Sequence, residues 1–271
     1  MPYRQNSDIR GLRLRRAVGN ALTRDGLCVY FQPIVSAATG RIIAAEALCR
    51  LTDPKWGVIP PASFIPAAEQ AGLIARVDDR VRALVWEFLR CYDIRRAGLD
   101  HISVNLSAAE CARRDLFCTI EKEARASGAE RGTLHLEITE TAAVASRAAL
   151  ARQMERMRRL GFCFHLDDYG TGYAGMTNLL SLPFGVVKLD KSLLDLAENT
   201  DKGRMVEGLI APLHDCRLQV VCEGVETVRQ AERLRLWGAD YLQGYLYSKP
   251  LPAADFAALA GIPRRKACGE I

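Results

Sequence analysis

No stretch of this 271-residue chain reaches the roughly 18 uninterrupted apolar residues that a membrane span requires. The segment from Met1 to Arg16 carries charge with no apolar run behind it, so it does not read as a secretory leader. Nine cysteines are scattered from Cys28 to Cys268 without a C-x-x-C pair. Their odd number, in a chain long enough to bury a large core, argues against a disulfide framework and for free thiols in a reducing, cytoplasmic setting. A net charge of +5, dispersed along the chain, is too slight for duplex nucleic acid and suits a small anionic ligand. Low-complexity tracts and internal repeats are missing too, and only four histidines are present.

What remains is the balance of a globular domain, 49 % apolar and 25 % charged. Short β-branched runs alternate with helical spacing. Strands are predicted at 29–35, 42–48, 102–106, 134–138, 163–166, 186–189, 219–222 and 241–242. Leu150, Met154, Met157 and Leu160 recur at helical intervals, with Gly161 as the stop; Val228, Ala231 and Leu234 repeat the pattern before Gly238. A helix is also expected at about 10–23, and Pro60, Pro61 and Pro66 read as a loop. Alternation without a linker argues for one α/β domain, and eight strands favour a closed, TIM-like (β/α)8 barrel over an open sheet. The expected division is an N-terminal helix or linker at 1–20, a barrel at 21–262 and a tail at 263–271.

The informative pattern is what ends each strand. Glu46 lies in the second run, Asn105 and Glu137 end the third and fourth, and Asp167 and Asp168 follow the fifth. Lys188 lies in the sixth, Glu223 ends the seventh, and Gln243 follows the eighth. In a β/α barrel those ends converge on one mouth. Gathering that many carboxylates costs several kcal/mol per uncompensated charge, and a cation is the usual remedy. The oxygen-only set Glu46, Asn105, Glu137, Asp167 and Asp168 suits Mg²⁺ or Mn²⁺ better than zinc, and none of the histidines lies in these motifs.

The Asp167–Asp168 pair, which alone would read as a capped helix start, invites a two-metal site that activates water against a phosphodiester. Lys188, alone an ordinary strand-end ion pair, can there orient the nucleophile or neutralise phosphate charge. The loop 168–173, with Gly170, Thr171 and Gly172, reads as a mobile segment that places Asp168. Glu140 is either a tether for that loop or a helix-start carboxylate favoured by the dipole.

The motifs follow in order from Tyr30 to Pro250. Phe31-Gln32-Pro33-Ile34-Val35 comes first, then Glu46-Ala47-Leu48 with Cys49 and Arg50, then the run from Phe64 to Glu69. Val104-Asn105-Leu106-Ser107, Glu137-Ile138-Thr139-Glu140 and the run from Asp167 to Tyr173 come next. Val187-Lys188-Leu189-Asp190, the run from Glu223 to Thr227, and Gln243-Gly244-Tyr245 complete the set. Together they resemble the EAL domain family of bacterial cyclic di-GMP phosphodiesterases.

That resemblance implies a TIM-like barrel with one antiparallel strand and hydrolysis of cyclic di-GMP to linear pGpG. It implies dependence on two Mg²⁺ or Mn²⁺ ions, inhibition by Ca²⁺, a homodimer, and a regulatory domain in a longer parent protein. Some members act instead as catalytically silent receptors for the dinucleotide. By position, Glu46, Asn105, Glu137 and Asp167 match the first metal site, and Asp167, Asp168 and Glu223 the second. Lys188 falls near the nucleophilic water, and Gln32, Leu48, Arg50 and Asp190 near the dinucleotide. Glu140 matches the residue that holds the mobile loop, and Glu226 and Gln243 support the metals or the substrate. Three departures stand out: Tyr169 for the commoner phenylalanine, Cys222 for alanine, and a segment Leu51–Gly57 without the usual tryptophan after the arginine.

Overall fold

The computed structural model describes residues 3–171, 179, 181–199 and 203–265. The predicted β-branched runs form β1 (Leu27–Ser36) and β2 (Ile42–Asp53), followed by a short β3 (Gly57–Ile59). They continue as β4 (His101–Leu106), β5 (Leu134–Thr139), β6 (Phe164–Tyr169), β7 (Val186–Leu189), β8 (Gln219–Cys222) and β9 (Tyr241–Gln243). From β2 through β4 to β9 each neighbour is parallel. The ring is closed by β1, which runs antiparallel to both β2 and β9. This is the eight-stranded barrel with one reversed strand that the resemblance implied. The short β3 and β10 (Leu251–Pro252) extend β2 and β1 and were not foreseen, being too brief to show a period.

Ten helices lie among the described residues: α1 (Tyr3–Thr23), α2 (Pro61–Gln70), α3 (Ile74–Cys91), α4 (Ala108–Cys111), α5 (Leu116–Ser127), α6 (Glu140–Arg159), α7 (Lys191–Asn199), α8 (Gly203–Asp215), α9 (Val228–Leu236) and α10 (Ala253–Leu259). The expected stops are in place, since Gly161 and Gly238 take positive φ just beyond α6 and α9. On α1, Ala17, Val18 and Ala21 are buried in the main core.

The proline-rich loop is a correction: Pro61 opens α2 and Pro66 lies inside it. Pro60 takes the extended conformation ahead of the helix, and a proline at the first helical position forfeits only an N–H that has no intrahelical partner. Burial of Phe64, Ala67 and Ala68 then outweighs the one ladder bond lost at Pro66.

Period-two alternation gives the barrel two kinds of interior. Outward side chains such as Ala45, Ile102, Val104, Leu136, Phe164 and Val187 pack beneath the helices in the main core. Inward ones sort by height. Ile34, Ala44, Val186 and Val221 make a separate small apolar plug inside the barrel. The carboxylates, Asn105 and Lys188 stand further along the parallel strands, towards their C-terminal ends.

Outside the barrel, α3, α4 and α5 share a buried charge. Arg82 of α3 has no exposed surface. Its guanidinium pairs with buried Glu110, with Asp79, and with Glu123 at 3.1 Å.

Candidate active site

Lys188, on β7, is the centre of the mouth. Its Nζ lies 2.7 Å from Glu137 Oε2 and 2.7 Å from Glu223 Oε1, 3.0 Å from Asp167 Oδ1 and 3.2 Å from Glu46 Oε2. Four strands thus deliver carboxylates to one ammonium because each residue shares the inward parity of its strand. Gln243 Nε2 donates to Glu46 Oε2 at 2.8 Å and Asn105 Nδ2 to Glu46 Oε1 at 2.9 Å, so both oxygens of Glu46 are held. Gln32 on the reversed strand approaches Gln243 at 3.4 Å.

Asp168 is next to Asp167 but adopts a left-handed backbone with φ of 56°. This conformation is uncommon for a residue with a side chain, and Asp tolerates it better than most. Asp167, Asp168 and Glu223 each offer a carboxylate oxygen within 4.8 Å of the others. Thr171 closes the turn with its N–H and hydroxyl on the Asp168 carbonyl, at 3.2 and 2.9 Å. Gly170 sits at φ 101°, where an added Cβ would lie 2.5 Å from Leu193. Gly172 is outside the described residues, as is the rest of that loop through 178.

The electrostatics follow from burial. Burial works to raise Glu46, but Lys188, Gln243 and Asn105 outweigh it and hold that carboxyl below its ordinary value. Glu137 is pushed up to about 7 by burial, against the pull of Lys188, and Asp167 to about 6 in the same way. Asp168 rises to about 6 through burial and its neighbour Asp167. Burial also lifts Glu223 well above the carboxylate range. Lys188 resists its own burial because the four carboxylates drive its pKa well above the ordinary value. Five carboxylates around one ammonium leave a formal excess of four negative charges (five minus one), a donor set of hard oxygens that fits divalent Mg²⁺ or Mn²⁺.

Above the ring is an open cavity of about 390 Å³ whose wall includes Gln32, Glu46, Leu48, Gln243 and Glu226. Lys191, on the same wall, was not singled out in the sequence, although it directly follows the motif that ends at Asp190. Its Nζ pairs with Glu226 at 2.5 Å. Gly224, at φ 69°, allows the Lys191 stem to pass where a Cβ would come within 2.5 Å.

Arg50 and Asp190 lie outside this wall. The Arg50 guanidinium sits 5.4 Å from the Tyr30 ring centroid and donates to the Cys49 carbonyl, while Asp190 accepts from the Ser192 N–H at the start of α7. Glu140 is the first residue of α6 and is buried, behind the Thr139 side chain that caps the helix. It thus stands at a helix start, and most of the loop it was expected to tether lies outside the described residues.

The sequence reading also passed over three histidines. His101, His135 and His165 lie inside the barrel below the carboxylates, and His165 Nδ1 faces Glu137 Oε1 at 3.3 Å. Their signal was parity: they stand four, two and two residues before Asn105, Glu137 and Asp167, on the same strand faces.

Similarity to known proteins places this closed barrel and its carboxylate-and-lysine mouth in a family. A profile of the EAL domain matches residues 15–250, and the chain belongs to the EAL domain family. The bifunctional diguanylate cyclase/cyclic di-GMP phosphodiesterase MucR of Pseudomonas aeruginosa is 33 % identical over 248 residues, covering 91 % of this chain and 36 % of that protein. The cyclic di-GMP phosphodiesterase NbdA of the same species is 33 % identical over 244 residues, covering 90 % and 31 %. The MucR phosphodiesterase solved in complex with c-di-GMP is 33 % identical, covers 90 % of this chain and 99 % of that one, and superimposes with a TM-score of 0.82. The chain spans about a third of the length of these curated relatives.

Proposed function

We propose that the protein hydrolyses one phosphodiester bond of cyclic di-GMP to give linear pGpG, using divalent cations held at the barrel mouth. The observation that carries this reading is the ring of Glu46, Glu137, Asp167 and Glu223 around Lys188, with Asp168 beside it. Glu46, Asn105, Glu137 and Asp167 would hold one ion and Asp167, Asp168 and Glu223 the other. Mg²⁺ or Mn²⁺ bound there supplies a water acidic enough to be ionised near neutral pH and neutralises phosphate oxygens.

The chain's own residues do the rest. Gln243 and Asn105 fix both oxygens of Glu46, so this ligand is oriented before any ion arrives. Lys188 keeps its charge throughout and presents it to the attacking oxygen and the developing phosphorane. Water adds to phosphorus, the ribose 3′-oxygen leaves, and that oxygen takes up a proton, which opens the ring. Gln32 and Leu48 line the cavity that would take the dinucleotide, and Arg50 and Asp190 would meet its outer edge. Ca²⁺ would inhibit by occupying the ligands at longer distances and looser geometry than the reaction needs. Association into homodimers within a longer regulated protein belongs to the same reading, as does a barrel domain at 21–262.

The test is product analysis by chromatography with cyclic di-GMP and Mn²⁺ or Mg²⁺, beside a Glu46→Ala control. Metal-dependent pGpG that disappears in the control supports hydrolysis. Tight binding without product would replace this reading with that of a receptor.

A further inference from the structure

We propose that His101, His135 and His165 form a binding site for one borderline divalent transition-metal ion, Zn²⁺ or one of similar ligand preference, inside the barrel below the carboxylate ring. This site goes beyond the phosphodiesterase reading and does not depend on it.

Three adjacent parallel strands supply the ligands. Ser103 of β4 stands opposite His135 of β5, and Glu137 of β5 opposite His165 of β6, so the imidazoles rise in a short stair. His101 enters from the start of β4. Each ring offers a nitrogen within 4.8 Å of the other two. His135 Nδ1 and His165 Nε2 are 2.9 Å apart, while the rings of His101 and His135 stack with centroids 3.7 Å apart. A tetrahedral zinc with nitrogens at 2.0–2.1 Å places its ligands about 3.3 Å from one another. The ion would take the place of the proton now shared by His135 and His165, and His101 would tilt out of its stack to complete the triad.

Two observations separate this from an ordinary buried histidine cluster. His101 is buried, yet neither of its ring nitrogens has a hydrogen-bond partner. A neutral imidazole carries a donor on one nitrogen and an acceptor on the other, and leaving both unmet costs about 1–3 kcal/mol for each. A ligand between the rings would meet that need. Second, His165 turns its Nε2 towards the triad, while its Nδ1 lies 3.3 Å from Glu137 Oε1 with no hydrogen bond formed between them, so that both atoms are unmet until the ring is reoriented. A carboxylate behind a ligating imidazole is the usual support of a histidine–zinc bond, fixing its tautomer and ring orientation.

The setting favours imidazole ligands over hard ones. Ala44 stands opposite His101 and Val186 opposite His165, both members of the small apolar plug. Arg95, the nearby cation, is engaged by Asp100 at 3.1 Å and Glu130 at 3.9 Å. His135 is only partly buried, so the triad is not wholly sealed from solvent. An ion there would also stiffen Glu137, which touches His165 on one oxygen and Lys188 on the other.

The experiment uses the full chain, stripped with chelator and equilibrated with Zn²⁺ in the presence of excess Mg²⁺, which favours the carboxylate mouth. Bound zinc is counted after dialysis, and its ligands are read by zinc-edge X-ray absorption. The expected result is one zinc per chain with imidazole scattering, retained in Asp168→Asn. In His101→Gln and His135→Gln, with helical content checked by circular dichroism, zinc affinity should fall by about 100-fold or more, at least the upper end of the cost of losing even an outer partner. No tightly held zinc, oxygen-only scattering, or equal binding by folded histidine variants would overturn the assignment. If neither variant folds, the X-ray absorption of the unmodified protein decides the matter alone.

Discussion

Lys188 Nζ lies 2.7 Å from Glu137 Oε2, and neither side chain has more than 1 % of its surface exposed. Removing one member of a buried pair leaves the other charge without compensation, at a cost of about 3–5 kcal/mol. Here three further carboxylates would be stranded as well. Lys188→Met should therefore lower stability by about 3–5 kcal/mol in the absence of metal, at a pH where the carboxylates are ionised. Urea denaturation with chelator measures this, and added Mg²⁺ should narrow the gap. Equal midpoints in chelator would show that the ring does not depend on the ammonium.

Metal binding at the mouth should release protons, and the amount should depend on pH. Burial holds Glu137 at about 7 and Asp167 and Asp168 at about 6, above their ordinary values. Raised carboxyl groups carry more protons as the pH falls through those values, and metal ligands must be anionic. Affinity for Mg²⁺ should thus weaken on acidification below about 7. Calorimetry in two buffers of different ionisation enthalpy reads the released protons directly. No release at mildly acidic pH would contradict the raised values.

Asp168 has two separable roles, as backbone and as charge. Asn tolerates the left-handed conformation but carries no charge, whereas a β-branched residue tolerates neither. Asp168→Asn should keep stability within about 0.5 kcal/mol and reduce metal-dependent turnover by about 100-fold or more. Asp168→Val should lose turnover and also about 1–3 kcal/mol of stability, the usual penalty for a forced backbone. Thermal unfolding alongside turnover separates the two effects.

The ion cluster outside the barrel gives a prediction independent of chemistry. Arg82→Met leaves buried Glu110 with only Arg113 near it, at 3.8 Å, and should cost about 3–5 kcal/mol, while Arg82→Met with Glu110→Leu should recover most of it. Additive losses in the double variant, seen by denaturant midpoints, would mean that packing rather than charge holds the site.

Much of this molecule was legible in its sequence, for a physical reason. The strands are β-branched runs long enough to show a period, and Glu46, Asn105, Glu137, Asp167 and Lys188 interrupt or end them with groups too polar to bury without purpose. Strand direction was not legible in the residues. The period of β1 is the same whichever way it runs, and only the family resemblance supplied its reversal. The helix α2 hid behind prolines whose position matters more than their number. The histidines were missed because motif matching looks at strand ends, whereas their place in the barrel is read by counting back in twos from each ligand.

The reversed strand has a consequence for how the protein comes into being on the ribosome. β1 is made early, yet it pairs with β9 and β10, which are made some 200 residues later. The hydrogen bond between Glu46 and Gln243 spans 197 positions of the chain. Contacts of such separation must wait for the late segments and form slowly. A nascent chain that stops short of Gln243 already carries every carboxylate of the ring but cannot close it, so the barrel withholds its assembled mouth until translation has passed the last of its strands.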